Sequence, residues 1–133
     1  KIKASKEKVK FFFSNKLDQN EVEQFFKNVK IKKFDLVICD RVLYILNTEE
    51  LNKTLQFLSE YTKYILINDF FLENNKNITK NYRVNLKGYF HTDFDRIMKE
   101  KYFDVISKFE APNKEVSYSN PKLVIYKKIN KIY

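Results

Sequence analysis

The sequence predicts an α/β domain in which parallel strands are joined by crossover helices and the chain closes on an antiparallel β-hairpin. Three observations carry this reading. Short apolar runs near residues 9–13, 34–39 and 64–68 alternate with segments whose apolar residues recur at helical spacing. The run at 34–39, Phe34-Asp35-Leu36-Val37-Ile38-Cys39, shows no polar alternation after Asp35, the pattern of a strand covered on both faces. The last two apolar runs, 103–109 and 123–128, have no helical pattern between them, so they are expected to pair antiparallel.

Each element has its own signal. Val9-Lys10-Phe11-Phe12-Phe13 reads as a strand stopped by Ser14-Asn15. Asp18 to Glu21 has capping-box spacing, and Val22, Phe25, Phe26 and Val29 then form one helical face. After the 34–39 strand, Asn47 to Glu50 is a second capping spacing, followed by the stripe Leu51, Leu55, Leu58 and Tyr61. Tyr64-Ile65-Leu66-Ile67 is the third strand, expected to run parallel to the first two. Residues 73–85, rich in Asn, Lys and Thr, read as the longest loop. Thr92 is placed to cap a short helix carrying Phe94, Ile97 and Met98. Residues 111–121 hold both prolines and read as the loop between the last two strands.

Composition excludes several classes. The 133 residues suit a single domain, and 44% hydrophobic with 17% aromatic residues can build a core, which disorder would not need. One Cys and one His rule out an internal disulfide framework and make a mixed zinc site unexpected, so no metal is expected. No apolar run approaches the ~20 residues of a membrane span, and residues 1–10 are charged, with no signal-peptide pattern. A cytoplasmic, soluble protein is the expectation, with no membrane partner. The net charge of +9 would suit an anionic partner such as nucleic acid. That reading is possible but not favoured: only Arg41, Arg83 and Arg96 among the 26 basic residues offer a bidentate fork, and the lysines are scattered.

In order and spacing the chain resembles the C-terminal part, from strand three onward, of a class I S-adenosylmethionine (SAM)-dependent methyltransferase. The resemblance rests first on Phe34-Asp35-Leu36-Val37-Ile38-Cys39-Asp40-Arg41-Val42-Leu43-Tyr44-Ile45-Leu46, which fits the family's fourth strand and the segment after it. Residues 9–13, 64–70, 103–109 and 123–126 then stand where strands three, five, six and seven would. The implied fold is a Rossmann-like sheet ending in an antiparallel hairpin. The family's first two strands and Gly-rich turn are absent from this chain, whose one glycine is Gly88. Residues 1–133 are therefore expected to form a single partial methyltransferase-like domain, completed by a missing N-terminal segment or a second subunit.

Ligands of open α/β sheets bind beyond the carboxyl ends of the strands. The resemblance implies SAM as cofactor, with Asn15 near its adenine and Cys39, Asp40 and Arg41 near its methionine end. Cys39 read alone is equally a small core residue. Asp40 could hold the cofactor's amino group or take a proton from the acceptor, and His91 has the pKa range of a general base; both are candidate catalytic residues. Asn68 and Asp69 end a strand and could face the acceptor, as could Tyr82, Arg83 and Tyr89 beside the long loop. The expected function is methyl transfer to a small-molecule or sugar acceptor. The alternatives are a non-enzymatic methyltransferase-like interaction domain and a basic nucleic-acid-binding module.

Overall fold

The computed structural model describes residues 19–72, 82–110 and 119–130. The chain divides into two compact units, residues 1–32 and 33–133. In the first, helix α1 (Gln19–Val29) follows the predicted stripe, with Val22 and Phe26 buried. Its exposed side carries amide contacts one turn apart, Gln19 to Glu23 and Gln24 to Asn28, both 3.1 Å. Lys30 takes the left-handed conformation (φ 58°), which lets the Ile31 N–H reach back to the Phe26 carbonyl at 3.1 Å and ends the helix. The strand expected at 9–13 and the cap at Asp18 lie outside the described residues.

The second unit runs β1 (Phe34–Asp40), a 3₁₀ turn (Leu43–Ile45), α2 (Thr48–Tyr61), β2 (Thr62–Leu72), β3 (Arg83–Leu86), β4 (Tyr89–Thr92), α3 (Phe94–Glu100), β5 (Phe103–Glu110) and β6 (Ser119–Lys128). β2 is the centre of the sheet. On one edge β1 pairs with it in parallel, from Phe34 opposite Thr62 to Asp40 opposite Asn68. Beyond the end of β1, β4 takes the same edge at Phe71 and Thr92, also parallel. Along the other edge β6 runs antiparallel from Tyr64–Lys127 to Leu72–Ser119, and β5 pairs antiparallel with β6 outside it. The C-terminal hairpin is thus inserted with its second strand against the centre.

Helix α2 starts where its capping box places it. Asn47 Oδ1 accepts from Glu50 N and Glu50 Oε2 accepts from Asn47 N, both at 2.9 Å, satisfying two donors of the first turn. Leu51, Leu55 and Leu58 of this helix, with Phe94, Ile97 and Met98 of α3, pack on Ile65, Ile67, Phe71, Val124 and Tyr126 of the strands. Because side chains alternate along a strand, this core uses one face of the sheet. Tyr61, expected in the α2 stripe, is only partly buried, whereas Ser59 is buried and its hydroxyl donates to the Gln56 carbonyl at 2.7 Å.

Several sequence expectations need correction. The 34–39 strand is not covered on both faces. Val37 and Cys39 face the core, but Leu36 is 47% exposed and Ile38 62%. The helices of this unit both pack on the other face, and among the described residues β1 has only β2 as a neighbour. Residues 73–81 of the expected long loop lie outside the described residues. Residues 83–85, expected to belong to that loop, instead begin β3, which forms a hairpin with β4. Its two-residue turn, Lys87 (φ 53°) and Gly88 (φ 88°), has the doubly positive φ that suits a tight hairpin, and Asn85 Oδ1 accepts from Gly88 N at 3.1 Å. Thr92 belongs to β4; the cap of α3 is Asp93, whose carboxylate accepts from Arg96 N at 3.2 Å. Pro121 lies within β6 opposite Phe70, not in the preceding loop.

Candidate functional site

The parallel pair β1 and β2 ends with Asp40 beside Asn68, and these side chains meet: Asn68 Nδ2 donates to Asp40 Oδ1 at 2.8 Å. The chain then turns sharply. Arg41 adopts φ 53°, its N–H donates to the Asn68 carbonyl at 2.9 Å, and its guanidinium carbon lies 4.7 Å from the centroid of the Phe70 ring. Asn68 and Phe70, two residues apart on β2, project from the sheet face opposite the helices.

Phe70 is the hub of an aromatic cluster. Tyr44, carried by the 3₁₀ turn, meets it edge-on at 5.6 Å. Tyr89 stacks on it at 6.0 Å and 22°, and His91 lies at 4.8 Å. Tyr44 and Tyr89 also touch edge-on, 5.1 Å apart. Tyr89 and His91 come from alternate positions of β4, so they share one face of that strand. Tyr89 is 48% exposed and His91 only 7%. Burial lowers the His91 pKa below 6.5, which favours the neutral ring at pH 7.

Beneath this surface Asp69 and Arg83 hold the turn. Asp69 is wholly buried; Oδ2 accepts from Leu43 N at 3.1 Å and Oδ1 from Phe70 N at 2.8 Å. Burial raises its pKa, while those backbone donors and the charge of Arg41 act in the opposite sense. Arg83 reaches the same turn from β3: Nη2 donates to the Leu43 carbonyl at 3.3 Å and Nε to Thr92 Oγ1 at 2.9 Å, with the guanidinium 4.1 Å from the Phe90 centroid. Burial lowers its pKa to about 10, against the opposing pull of Asp69. Leu43 is thus gripped at both its N–H and its carbonyl, which fixes the turn bearing Tyr44.

Of the residues singled out in the sequence, Asp40, Arg41, Asn68, Tyr89 and His91 converge on this edge. Asp69 lies behind it as a backbone anchor, and Cys39 is part of the core, its thiol pushed up to about 11 by burial and by Asp69. Tyr82 sits with α3, its hydroxyl donating to Glu100 Oε1 at 2.7 Å and its ring 4.7 Å from the Arg96 guanidinium carbon. Asn15 lies outside the described residues. Sequence reasoning passed over Phe70, the residue that joins the others, and took Tyr44 only as part of the 34–46 motif. The alternation Asn68, Phe70 beyond the end of a predicted strand was the available signal. Among the described residues no group of three or more His, Cys, Asp or Glu could hold a metal, and no helix is long and apolar enough to cross a membrane.

No protein-family model matches this sequence, and a search of curated proteins finds no match. Solved structures do match by shape. The N-terminal domain of EvdMO1 with SAH (S-adenosylhomocysteine) bound superposes with a TM-score of 0.52 at 12% identity, over 78% of this chain and 49% of that one. The same domain in the presence of SAH and D-fucose gives 0.50 at 10% identity, over 76% and 50%. Magnesium protoporphyrin IX methyltransferase from Synechocystis PCC 6803 with bound SAM gives 0.48 at 16% identity, over 83% and 54%. The chain spans about half the length of these structures. With two parallel strands leading into an inserted antiparallel hairpin, and with the shape of the EvdMO1 domain, this chain has a class I methyltransferase-like, Rossmann-type fold.

Proposed function

We propose that residues 1–133 are a partial methyltransferase-like domain whose β1–β2 edge holds the methionine end of SAM and faces a small-molecule or sugar acceptor. The observation that supports this most directly is the Asp40–Asn68 pair where the parallel pairing of β1 with β2 ends, with the Arg41 guanidinium over Phe70, two residues further along β2. These groups fit a zwitterionic amino acid: an exposed carboxylate for its ammonium and a guanidinium for its carboxylate. The EvdMO1 domain, crystallised with SAH and D-fucose, supports the cofactor and a sugar as the acceptor class.

SAM, when bound, supplies an electrophilic methyl group on a sulfonium sulfur. The part left to this chain is alignment and proton removal. Tyr89, half-exposed over Phe70, offers a flat surface for an acceptor ring. His91, neutral at pH 7, accepts the proton lost from an acceptor hydroxyl or amine on its imidazole nitrogen. Asp40 is held by Asn68 so that its carboxylate stays oriented.

The adenosine side and the remaining strands are proposed to come from a missing N-terminal segment or a second subunit that pairs with the open edge of β1. The exposure of Leu36 and Ile38 supports a missing layer, since a doubly wound sheet carries helices on both faces and these two side chains stand uncovered on one of them. The test is calorimetric titration with SAH. Residues 1–133 alone are expected not to bind. The protein completed by the pairing polypeptide is expected to bind, with affinity about tenfold weaker in Asp40→Ala, as for loss of one charge-assisted hydrogen bond. Undiminished affinity in that variant removes Asp40 from the site. A complete protein with no affinity for SAH would favour the non-enzymatic interaction domain.

A further inference from the structure

On the helix side of the sheet lies a second concavity, unrelated to the Phe70 cluster. A cavity of about 380 Å³ is lined by Phe71 and Leu72 at the end of β2, by Asp93, Asp95, Arg96 and Lys99 of α3 and its cap, and by Lys108 of β5 and Lys122 of β6. Its walls carry four cationic side chains and two carboxylates. The carboxylates are engaged within the fold. Asp95 accepts from Lys108 Nζ at 2.5 Å and from the Tyr126 hydroxyl at 2.6 Å, while Asp93 accepts from Arg96 N as the helix cap. Lys122, 7% exposed, is held by Glu110 at 3.3 Å from outside the lining.

Arg96 and Lys99, one turn apart on α3, differ from these. Among the described residues neither is in a salt bridge; Arg96 instead lies over the Tyr82 ring. Two cations outside these ion pairs, Arg96 with the charge of Asp93 nearby, thus line a cavity that also holds a largely buried lysine. Two lysines elsewhere are paired with acids, Lys53 with Glu49 and Lys63 with Asp35; what sets Arg96 and Lys99 apart is their place in a cavity wall that also holds Lys108 and Lys122. The floor is apolar at Phe71 and Leu72, which suits a ligand with a charged head and a less polar body.

We infer that this cavity binds a small molecule through a phosphate group, held by Arg96 and Lys99 with Lys122 behind them. The guanidinium supplies a fork of N–H donors to phosphate oxygens and the two ammonium groups add point charges. A dianionic monoester fits the cavity better than a polymer backbone, because the cations converge on one concavity and do not follow a groove.

The test uses the whole 133-residue chain, titrated calorimetrically with inorganic phosphate, with a hexose phosphate, and with a short oligonucleotide lacking terminal phosphates. Saturable binding of phosphate or the hexose phosphate is expected, about tenfold weaker in Lys99→Gln and in Arg96→Gln, and unchanged in Lys53→Gln, whose lysine is exposed elsewhere on the surface. A preference for hexose phosphate over inorganic phosphate assigns the ligand's body to the apolar floor; equal affinities assign the site to free phosphate. Arg96→Gln loses its contact with Tyr82, so far-UV circular dichroism accompanies it, and Lys99→Gln carries the test should that variant unfold. No saturable binding, equal weakening in Lys53→Gln, or tighter binding of the oligonucleotide than of either phosphate would overturn the assignment.

Discussion

Replacing Asp69 by Ala should unfold the carboxyl edge of the sheet from beneath. The carboxylate is wholly buried and accepts from Leu43 N at 3.1 Å and Phe70 N at 2.8 Å. Alanine leaves both N–H groups without that acceptor, at ~1–3 kcal/mol for each buried donor. It also takes away the negative charge that favours the buried Arg83 guanidinium. The expected loss is about 3–5 kcal/mol, the range seen when a buried charged network loses one member. Asp69→Asn keeps one acceptor oxygen and turns an amide toward the other donor, so about half that loss is expected. The sign of the pH dependence is also fixed. Burial raises the Asp69 pKa above 3.8, so its titration stabilises the fold below 3.8 and that contribution is lost as pH rises through the folded value. The gap between wild type and Asp69→Asn should therefore narrow from pH 4 to pH 7. Urea unfolding followed by circular dichroism, with an unchanged m-value, measures both. An Asp69→Ala protein within ~1 kcal/mol of wild type would refute the anchoring role.

Removing the cap of α2 by Asn47→Ala should cost about 1 kcal/mol, and Glu50→Gln, which retains a capping acceptor, much less; thermal unfolding distinguishes them. Because burial depresses the pKa of His91, the only histidine, its contribution to stability is complete above about 6.5 and is lost as pH falls through the folded value. Urea midpoints should fall between pH 7.5 and 5.5 more in wild type than in His91→Gln, and parallel decreases would contradict this. Ile38→Lys, on the open face of β1, should leave the monomer's stability within ~0.5 kcal/mol while reducing self-association of the isolated chain in sedimentation; a large loss of stability would mean that Ile38 is covered.

What the sequence made legible follows from which forces are local. The α2 capping box, Leu51, Leu55 and Leu58 of its stripe, Val22 and Phe26 of α1, and the strand cores at 34–39, 64–68, 103–109 and 123–128 are written in neighbouring residues, and these appear where expected. The β3–β4 hairpin was missed because Lys87-Gly88 was not read as a turn, although the chain's one glycine stands at a positive φ there. The covering of β1 was misjudged because an apolar run records what a strand is suited to bury, not which neighbours are present to cover Leu36 and Ile38. At the site, Asp40, Arg41 and Asn68 could be named from their position after buried strands. The role of Phe70 could not, because it depends on residues 26 positions before it and 21 after it, Tyr44 and His91, arriving at one ring.

The insertion of β6 between β2 and β5 bears on the order in which the domain can assemble during synthesis. β2 leaves the ribosome more than fifty residues before the strand that will occupy its second edge, since Tyr64 pairs with Lys127. Among the described strands β2 can until then hold β1 and the β3–β4 hairpin, and β5, already made, lacks the β6 strand it pairs with. The helices α2 and α3 meanwhile have half a sheet to rest on. Pairings of such long sequence separation are slow to close, so the nascent chain should spend an interval with its central strand half-bonded. Arrest of translation with residues up to 118 clear of the exit tunnel would capture that state, open to proteolysis within β2, and emergence of the ten residues of β6 should close it in a single step.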